Sequence, residues 1–218
     1  MAKRFELIVF DWDGTLMDSA AAIVTAIQSA CRDLGIEPPS DERARYVIGL
    51  GLQDALRVAI PELDPVRYRE VAERYRYHYM AGDHDLILFE GAFELIVSLD
   101  EAGFLLAVAT GKSRNGLDRA MAGSGLAKLF HASRCADECH PKPHPQMLLE
   151  LMEEFSVKPE NTLMIGDTTH DLLMAKNANV QALAVTYGAH SRVSLEAEVP
   201  LLCAESVADV QAWLMQNG

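Results

Sequence analysis

Four apolar runs read as buried strands, and each is followed by a segment with helical spacing. That alternation commits a chain to an α/β fold with a parallel sheet. The runs are Phe5 to Phe10, Phe104 to Ala109, Thr162 to Ile165 and Ala182 to Val185, with Leu201-Leu202-Cys203 as a short fifth. Helical patterns lie at about 92–102, 114–124, 144–155 and 170–177, and a closing one near 206–216. Gly103 reads as a helix stop and Gly111 as a strand-to-helix turn.

Residues 18–82 break the alternation, with three or four helical patterns and no convincing strand. Ala20 to Leu34 is the first, ended by Gly35 and the Pro38-Pro39-Ser40 punctuation. Asp41 to Ile60 holds one or two more, and Pro65 to Tyr79 another. An all-helical block placed between the first and second sheet strands reads as a small separate domain. Gly82 and Asp83-His84-Asp85 mark the return. The expected division is therefore 1–17 with 83–218 as one unit and 18–82 as the other.

The residues just past each strand carry the chemistry. The first run ends in Asp11-Trp12-Asp13-Gly14-Thr15, the second in Thr110-Gly111-Lys112, the third in Gly166-Asp167-Thr168-Thr169-His170-Asp171. Open parallel sheets bind ligands outside the carboxyl ends of their strands, so one crevice would collect Asp11, Asp13, Thr110, Asp167 and Asp171. Crowded carboxylates raise each other's pKa unless a cation sits among them. A few hard oxygen ligands suit Mg2+ better than zinc. Lys142, between prolines in Pro141-Lys142-Pro143-His144-Pro145, could supply a positive charge. Carboxylates, Mg2+, a Thr hydroxyl, a Lys and Gly-bearing turns together describe a phosphate site. Each piece alone has a plainer reading. Asp-x-Asp-Gly is common in turns, Asp167 and Asp171 could be helix-start charges, Thr110 a strand end, and Lys142 a surface residue. The coincidence of all four at consecutive strand ends favours the site.

Composition narrows the classes. The 218 residues carry a formal net charge of −13, from 19 basic and 32 acidic side chains, which argues against a nucleic-acid partner. At 50% hydrophobic and 23% charged the chain can bury a full core. No apolar run approaches the ~20 residues of a membrane span, and Met1-Ala2-Lys3-Arg4 leads into the first strand without a signal-peptide pattern. The expectation is a cytoplasmic protein, monomer or homodimer, with neither nucleic acid nor membrane as partner. Cys31, Cys135, Cys139 and Cys203 are too scattered for a disulfide framework and are expected as free thiols. A zinc site at Cys135 and Cys139 with His131, His140 and His144 is the alternative, although the spacing matches no ordinary zinc pattern.

Asp11 to Ser19 resembles the opening motif of the haloacid dehalogenase-like hydrolase superfamily. Thr110-Gly111-Lys112, Lys142-Pro143-His144-Pro145 and Gly166 to Asp171 resemble its other motifs, so the likeness covers nearly the whole chain. The helical insert is placed like the four-helix cap of the branch that includes phosphoglycolate phosphatases. The resemblance implies a Rossmann-like core with a mobile cap over the strand ends. It makes Asp11 the nucleophile, forming an aspartyl-phosphate, and Asp13 the acid and then the base. Asp11, the Asp13 backbone carbonyl and Asp167 would hold Mg2+, with Asp171 nearby. Thr110 and the Gly111 N–H would bind phosphoryl oxygens, and Lys142 would offset their charge. Lys112 is a rival to Lys142, but its place after the glycine suggests a surface position at a helix start.

Asp13 favours a phosphatase over a dehalogenase, because an alkoxide leaves badly without a proton and a halide needs none. The substrate is then a small phosphorylated metabolite, with Arg43, Arg45 and Ile48-Gly49-Leu50-Gly51-Leu52 in the cap as candidates for choosing it; Arg45 could pair with a carboxylate. An ordinary helix-helix turn with solvated arginines accounts for the same residues. Inorganic pyrophosphate and sugar phosphates remain alternative substrates. A non-catalytic binding or regulatory protein keeping the fold would be expected to lose Asp11, Asp13 or Asp167, and all three are present. Trp12 is expected to pack near the site, and His170 to be exposed.

Overall fold

The computed structural model describes residues 4–82 and 86–218; the return expected at Asp83-His84-Asp85 lies outside the described residues. Six strands, β1 (Leu7–Phe10), β2 (Leu105–Thr110), β3 (Ala132–Cys135), β4 (Thr162–Gly166), β5 (Gln181–Val185) and β6 (Cys203–Ala204), form one parallel sheet. Their order is β3-β2-β1-β4-β5-β6. The chain winds outward in both directions from β1, so the topological switch falls between β1 and β4, where α/β sheets leave a crevice at their carboxyl ends.

Every residue of β1 is buried, because both faces of the sheet are covered. Ile8 and Phe10 join one apolar cluster, and Leu7 and Val9 the other. The first cluster packs under helices α5 (Ala92–Glu101), α6 (Arg114–Ser124) and α10 (Val207–Asn217). The second packs under α7 (Gln146–Phe155) and α8 (Thr169–Asn177). This is the period-2 alternation of a strand feeding two cores.

Between β1 and α5 lie four helices: α1 (Ala20–Asp33), α2 (Asp41–Tyr46), α3 (Leu52–Ala59) and α4 (Tyr68–Gly82), the last preceded by a 3-10 turn at Pro65–Arg67. They enclose their own apolar cluster, including Ile27, Cys31, Val47, Leu56 and Val71. The chain enters and leaves this block through adjacent segments. Met17 bridges Leu88, and the Asp18 N–H donates to the Ile87 carbonyl at 3.0 Å.

Two elements escape the sequence pattern. β3 reads Ala-Ser-Arg-Cys, with no apolar run, and pairs only with β2 at the sheet edge. The five-residue helix α9 (Arg192–Glu196) is too short for a period, though Ser191 caps it by accepting from the Ser194 N–H. The last strand falls later than the Leu201-Leu202-Cys203 run, at Cys203–Ala204. Among the described residues no helix is long and apolar enough to cross a membrane.

The seating of α7 on the sheet has a direct test. Leu148 is fully buried, whereas Leu149 beside it is 47% exposed. Leu148→Ala should cost about 2–5 kcal/mol of unfolding free energy and Leu149→Ala no more than about 0.5 kcal/mol, read by denaturant titration. Equal losses would contradict the helix orientation.

Candidate active site

The carboxyl ends of β1 and β4 place their acids side by side. The Asp11 N–H continues the ladder, donating to the Ile165 carbonyl at 2.9 Å, so Asp11 stands at the top of the sheet rather than in a loose loop. The chain then turns at Gly14, which has φ +82°; a Cβ there would overlap the Asp167 carboxylate. Only glycine fits that turn. Carboxylate oxygens of Asp11, Asp167 and Asp171 lie within 4.8 Å of one another, all three buried. They are three of the four acids that the sequence places in one crevice, and Asp13 is not among them.

One ammonium group faces two of them. Lys142 Nζ lies 2.7 Å from Asp11 Oδ1 and 2.6 Å from Asp171 Oδ1, with all three side chains almost wholly buried. The other oxygen of Asp171 accepts from the Thr168 N–H at 3.1 Å and from its hydroxyl at 2.6 Å, in a capping box at the start of α8. Asp171 is thereby committed to Lys142 and its own helix. Asp167 accepts from the Thr15 hydroxyl at 3.0 Å and the Ala189 N–H at 2.7 Å. Asp11 Oδ2 is buried with no hydrogen-bond partner among the described residues. An orphaned carboxylate oxygen beside a second buried acid suits a cation, since burying it uncompensated is costly. The all-oxygen donor set fits a hard divalent ion.

The electrostatics follow from burial. The Asp11 carboxyl rises from 3.8 to about 7, because loss of solvent, helped by Asp171 and Asp13, outweighs the pull of Lys142. Burial likewise drives Asp167 well above the usual carboxylate range, with Asp11 and Asp171 contributing. Burial alone would lower Lys142, but Asp11 and Asp171 hold it above its ordinary value and charged.

Asp13 is set apart from the triad. Its Oδ1 accepts from the Ser19 hydroxyl at 2.6 Å and faces Lys112 Nζ at 3.0 Å. Ser19 sits just before α1, yet its hydroxyl caps no helix N–H, being given to Asp13 instead. Lys112 overturns the expectation of a surface position, since its side chain is only 8% exposed. It reaches the Tyr79 hydroxyl of α4 at 2.8 Å and lies 4.7 Å from that ring's centre. Helix α6 starts after Ser113, so Lys112 precedes it.

Thr110 is buried at the end of β2, and its hydroxyl accepts from the Lys112 N–H at 3.2 Å. Gly111 lies under the helical block: a Cβ there would stand 2.5 Å from the carbonyl oxygens of both Gly49 and Leu50. Trp12 is buried and packs beside Phe130 with ring centres 6.3 Å apart. A cleft of about 320 Å³ opens beside Lys112, walled by Trp12, Met17, Tyr79, Leu88 and Arg119 among others.

His170 corrects a second expectation. It is buried, 5% exposed, because the α2 end covers the α8 N-terminus; its Nε2 lies 2.8 Å from the Tyr46 carbonyl. Burial lowers the pKa of His170 and of His190, which reaches the same carbonyl. Arg43 and Arg45 stay exposed on α2, outside the buried cluster. The four cysteines are unpaired, and burial pushes Cys135 up to about 12.

The haloacid dehalogenase-like hydrolase family model matches residues 8–185. "Probable phosphatase IndB" of Dickeya dadantii is 38% identical over 94% of this chain and 91% of its own. A phosphoglycolate phosphatase of Vibrio vulnificus is 30% identical over 95% of both chains. A solved haloacid dehalogenase-like family hydrolase from Streptococcus pneumoniae superposes with a TM-score of 0.83 at 25% identity, covering 96% of this chain and 98% of that one.

Between about pH 4 and pH 7 the metal-free folded chain keeps a proton on Asp11 that the unfolded chain has released, so Asp11 costs stability as pH rises through that window. Asp11→Asn in EDTA should therefore gain thermal stability relative to wild type as pH goes from about 4 to about 8. Added divalent cation should stabilise the wild type more than the variant at the upper pH. Parallel pH profiles for the two proteins would contradict the buried, proton-holding Asp11.

Proposed function

The chain belongs to the haloacid dehalogenase-like hydrolase family, and we propose that it is a Mg2+-dependent phosphatase of small anionic phosphomonoesters, most similar to phosphoglycolate phosphatases. The observation that carries this reading is the buried cluster of Asp11, Asp167, Asp171 and Lys142 at the β1/β4 switch, with Asp11 Oδ2 unpartnered. The phosphatase names of its relatives support it. In this reading residues 1–17 and 83–218 form the core, and 18–82 the cap. Free thiols suit a reducing, cytoplasmic setting.

Asp11 attacks phosphorus with one carboxylate oxygen and keeps the other for the cation, giving an aspartyl-phosphate and releasing the alcohol. Asp13 donates a proton to the leaving oxygen, then takes one from the water that hydrolyses the intermediate. Ser19 and Lys112 orient that carboxyl group. Thr110 and the Gly111 N–H hold phosphoryl oxygens, and the Lys142 ammonium opposes their developing charge. Asp171 acts by fixing Lys142. The Asp11 and Asp167 carboxylates and the Asp13 backbone carbonyl would hold Mg2+, which when bound supplies charge neutralisation at the phosphoryl oxygens. The leaving group occupies the cleft beside Lys112, whose ammonium and the nearby Arg119 suit an anionic alcohol. Arg45, exposed on the cap, pairs with a substrate carboxylate only if the substrate reaches α2.

Phosphate release from 2-phosphoglycolate, pyrophosphate, sugar phosphates, nucleotides and an aryl phosphate, with Mg2+ and with EDTA, tests the reading. Turnover should require Mg2+ and vanish in Asp11→Asn. Preference for pyrophosphate or a sugar phosphate would move the assignment there. No turnover by folded, Mg2+-bound protein would leave a binding role.

The proton step has its own test. Asp13→Ala should lower kcat on alkyl phosphates by roughly 10²–10⁴, and much less on an aryl phosphate, whose leaving group needs little protonation. An equal loss on both would remove Asp13 from the acid role.

A further inference from the structure

Two imidazoles converge on one main-chain carbonyl, and the proposed chemistry uses neither. His170 Nε2 lies 2.8 Å and His190 Nε2 3.0 Å from the carbonyl oxygen of Tyr46. The Thr169 N–H donates to His190 Nδ1 at 3.1 Å. That nitrogen is thus an acceptor, the ring proton sits on Nε2, and His190 donates to Tyr46. Both imidazoles are buried, at 5% and 7% exposure. The Tyr46 ring lies over them, stacked on His190 with centres 5.3 Å and planes 9° apart, and edge-on to His170 at 5.2 Å.

The three residues come from different parts of the chain: the end of α2, the first turn of α8, and the loop after β5. Three residues beyond Tyr46 the chain reaches Gly49, where a Cβ would stand 3.2 Å from Thr168 Oγ1. The carbonyls of Gly49 and Leu50 crowd Gly111 from above. Whatever pins the Tyr46 carbonyl therefore pins the 47–51 loop against the turns that carry Thr110-Gly111 and Thr168 to Asp171. The His190 backbone N–H also donates to the Asp167 carbonyl at 3.3 Å, tying the clamp to the acid-bearing turn.

We propose that His170 and His190 are positioning residues: by donating together to the Tyr46 carbonyl they hold the 47–51 loop closed over the phosphoryl-binding turn before substrate arrives. The phosphoryl-binding role of that turn rests on the phosphatase reading; the clamp itself does not. A substrate that binds the closed arrangement meets it at full population while both donors are present. Losing donors lowers that population, and the apparent KM rises in inverse proportion while kcat of the closed complex is kept.

The test compares wild type with His170→Leu, His190→Leu and the corresponding Gln variants, in the full chain with Mg2+. Gln keeps an N–H donor of nearly the same reach, and Leu keeps only bulk. The first readout is amide hydrogen exchange across 46–51, with α4 as the internal control; the second is KM and kcat on an aryl phosphate. Each Leu variant should speed exchange at 46–51 and raise KM by up to roughly fivefold to tenfold, the worth of one net hydrogen bond, with kcat within about twofold and α4 unchanged. The Gln variants should return both readouts most of the way to wild type. Wild-type exchange at 46–51 in the Leu variants, or Gln variants as impaired as Leu, would overturn the proposal. Should a Leu variant fail to fold, Asn, whose amide is too short to reach the carbonyl, replaces it in the same comparison. Exchange needs no turnover, so an inactive protein would sink the phosphatase reading while leaving the clamp to be judged on its own.

Discussion

A single buried ammonium set among buried carboxylates is the constraint on which this structure turns. Asp11, Asp167 and Asp171 bring three potential negative charges to the top of the sheet, and Lys142 touches two of them. Removing an ion from water costs several kcal/mol even after the protein relaxes, so the cluster persists only where the backbone fixes every member. Each acid is fixed by something rigid. Asp11 extends a β ladder, Asp171 closes a capping box, and Asp167 accepts from Thr15 and Ala189. The parallel sheet, buried on both faces, is the frame that makes such fixing possible, and the remaining imbalance leaves room for a cation.

The helical block has its own apolar interior and meets the sheet, at the site, mainly through polar or backbone contacts, with Ala189 an apolar one. Lys112 reaches Tyr79, two imidazoles reach the Tyr46 carbonyl, and Gly111 faces the Gly49 and Leu50 carbonyls. Contacts of this kind can be exchanged for water at small net cost, whereas an apolar interface of the same extent would resist opening. A junction of this kind is what the proposed cap role would need in order to open and close.

Much of this was legible along the chain. Runs such as Phe5 to Phe10 and Phe104 to Ala109 announce buried strands, and the residues after them announce the acids. The helical insert is visible as an interruption of the alternation. The strand at Ala132–Cys135 was not, because a sheet-edge segment built from Ser and Arg carries no apolar signal. The burial of Lys112 and His170 was not legible for a different reason. Their partners lie 33 and 124 residues away in sequence, on the helical block. A reading of local pattern treats the start of a helix as open to solvent, and here another part of the chain occupies that space. Ser19 and His190 share this difficulty: their type is ordinary, and only tertiary contact with Asp13 and Tyr46 gives them a role.

The crowding of Gly111 by Gly49 and Leu50 has a consequence for how this sequence can vary. Two segments far apart in the chain, one in each unit, share a space in which neither has slack. A methyl group added at 111 is met by backbone, which cannot rotate away as a side chain would. Any inherited change there needs a matching shift in the 49–50 loop, so the two positions must drift through related sequences as a linked pair. Exchanging helical blocks between such proteins would succeed or fail on that match before any substrate contact is considered.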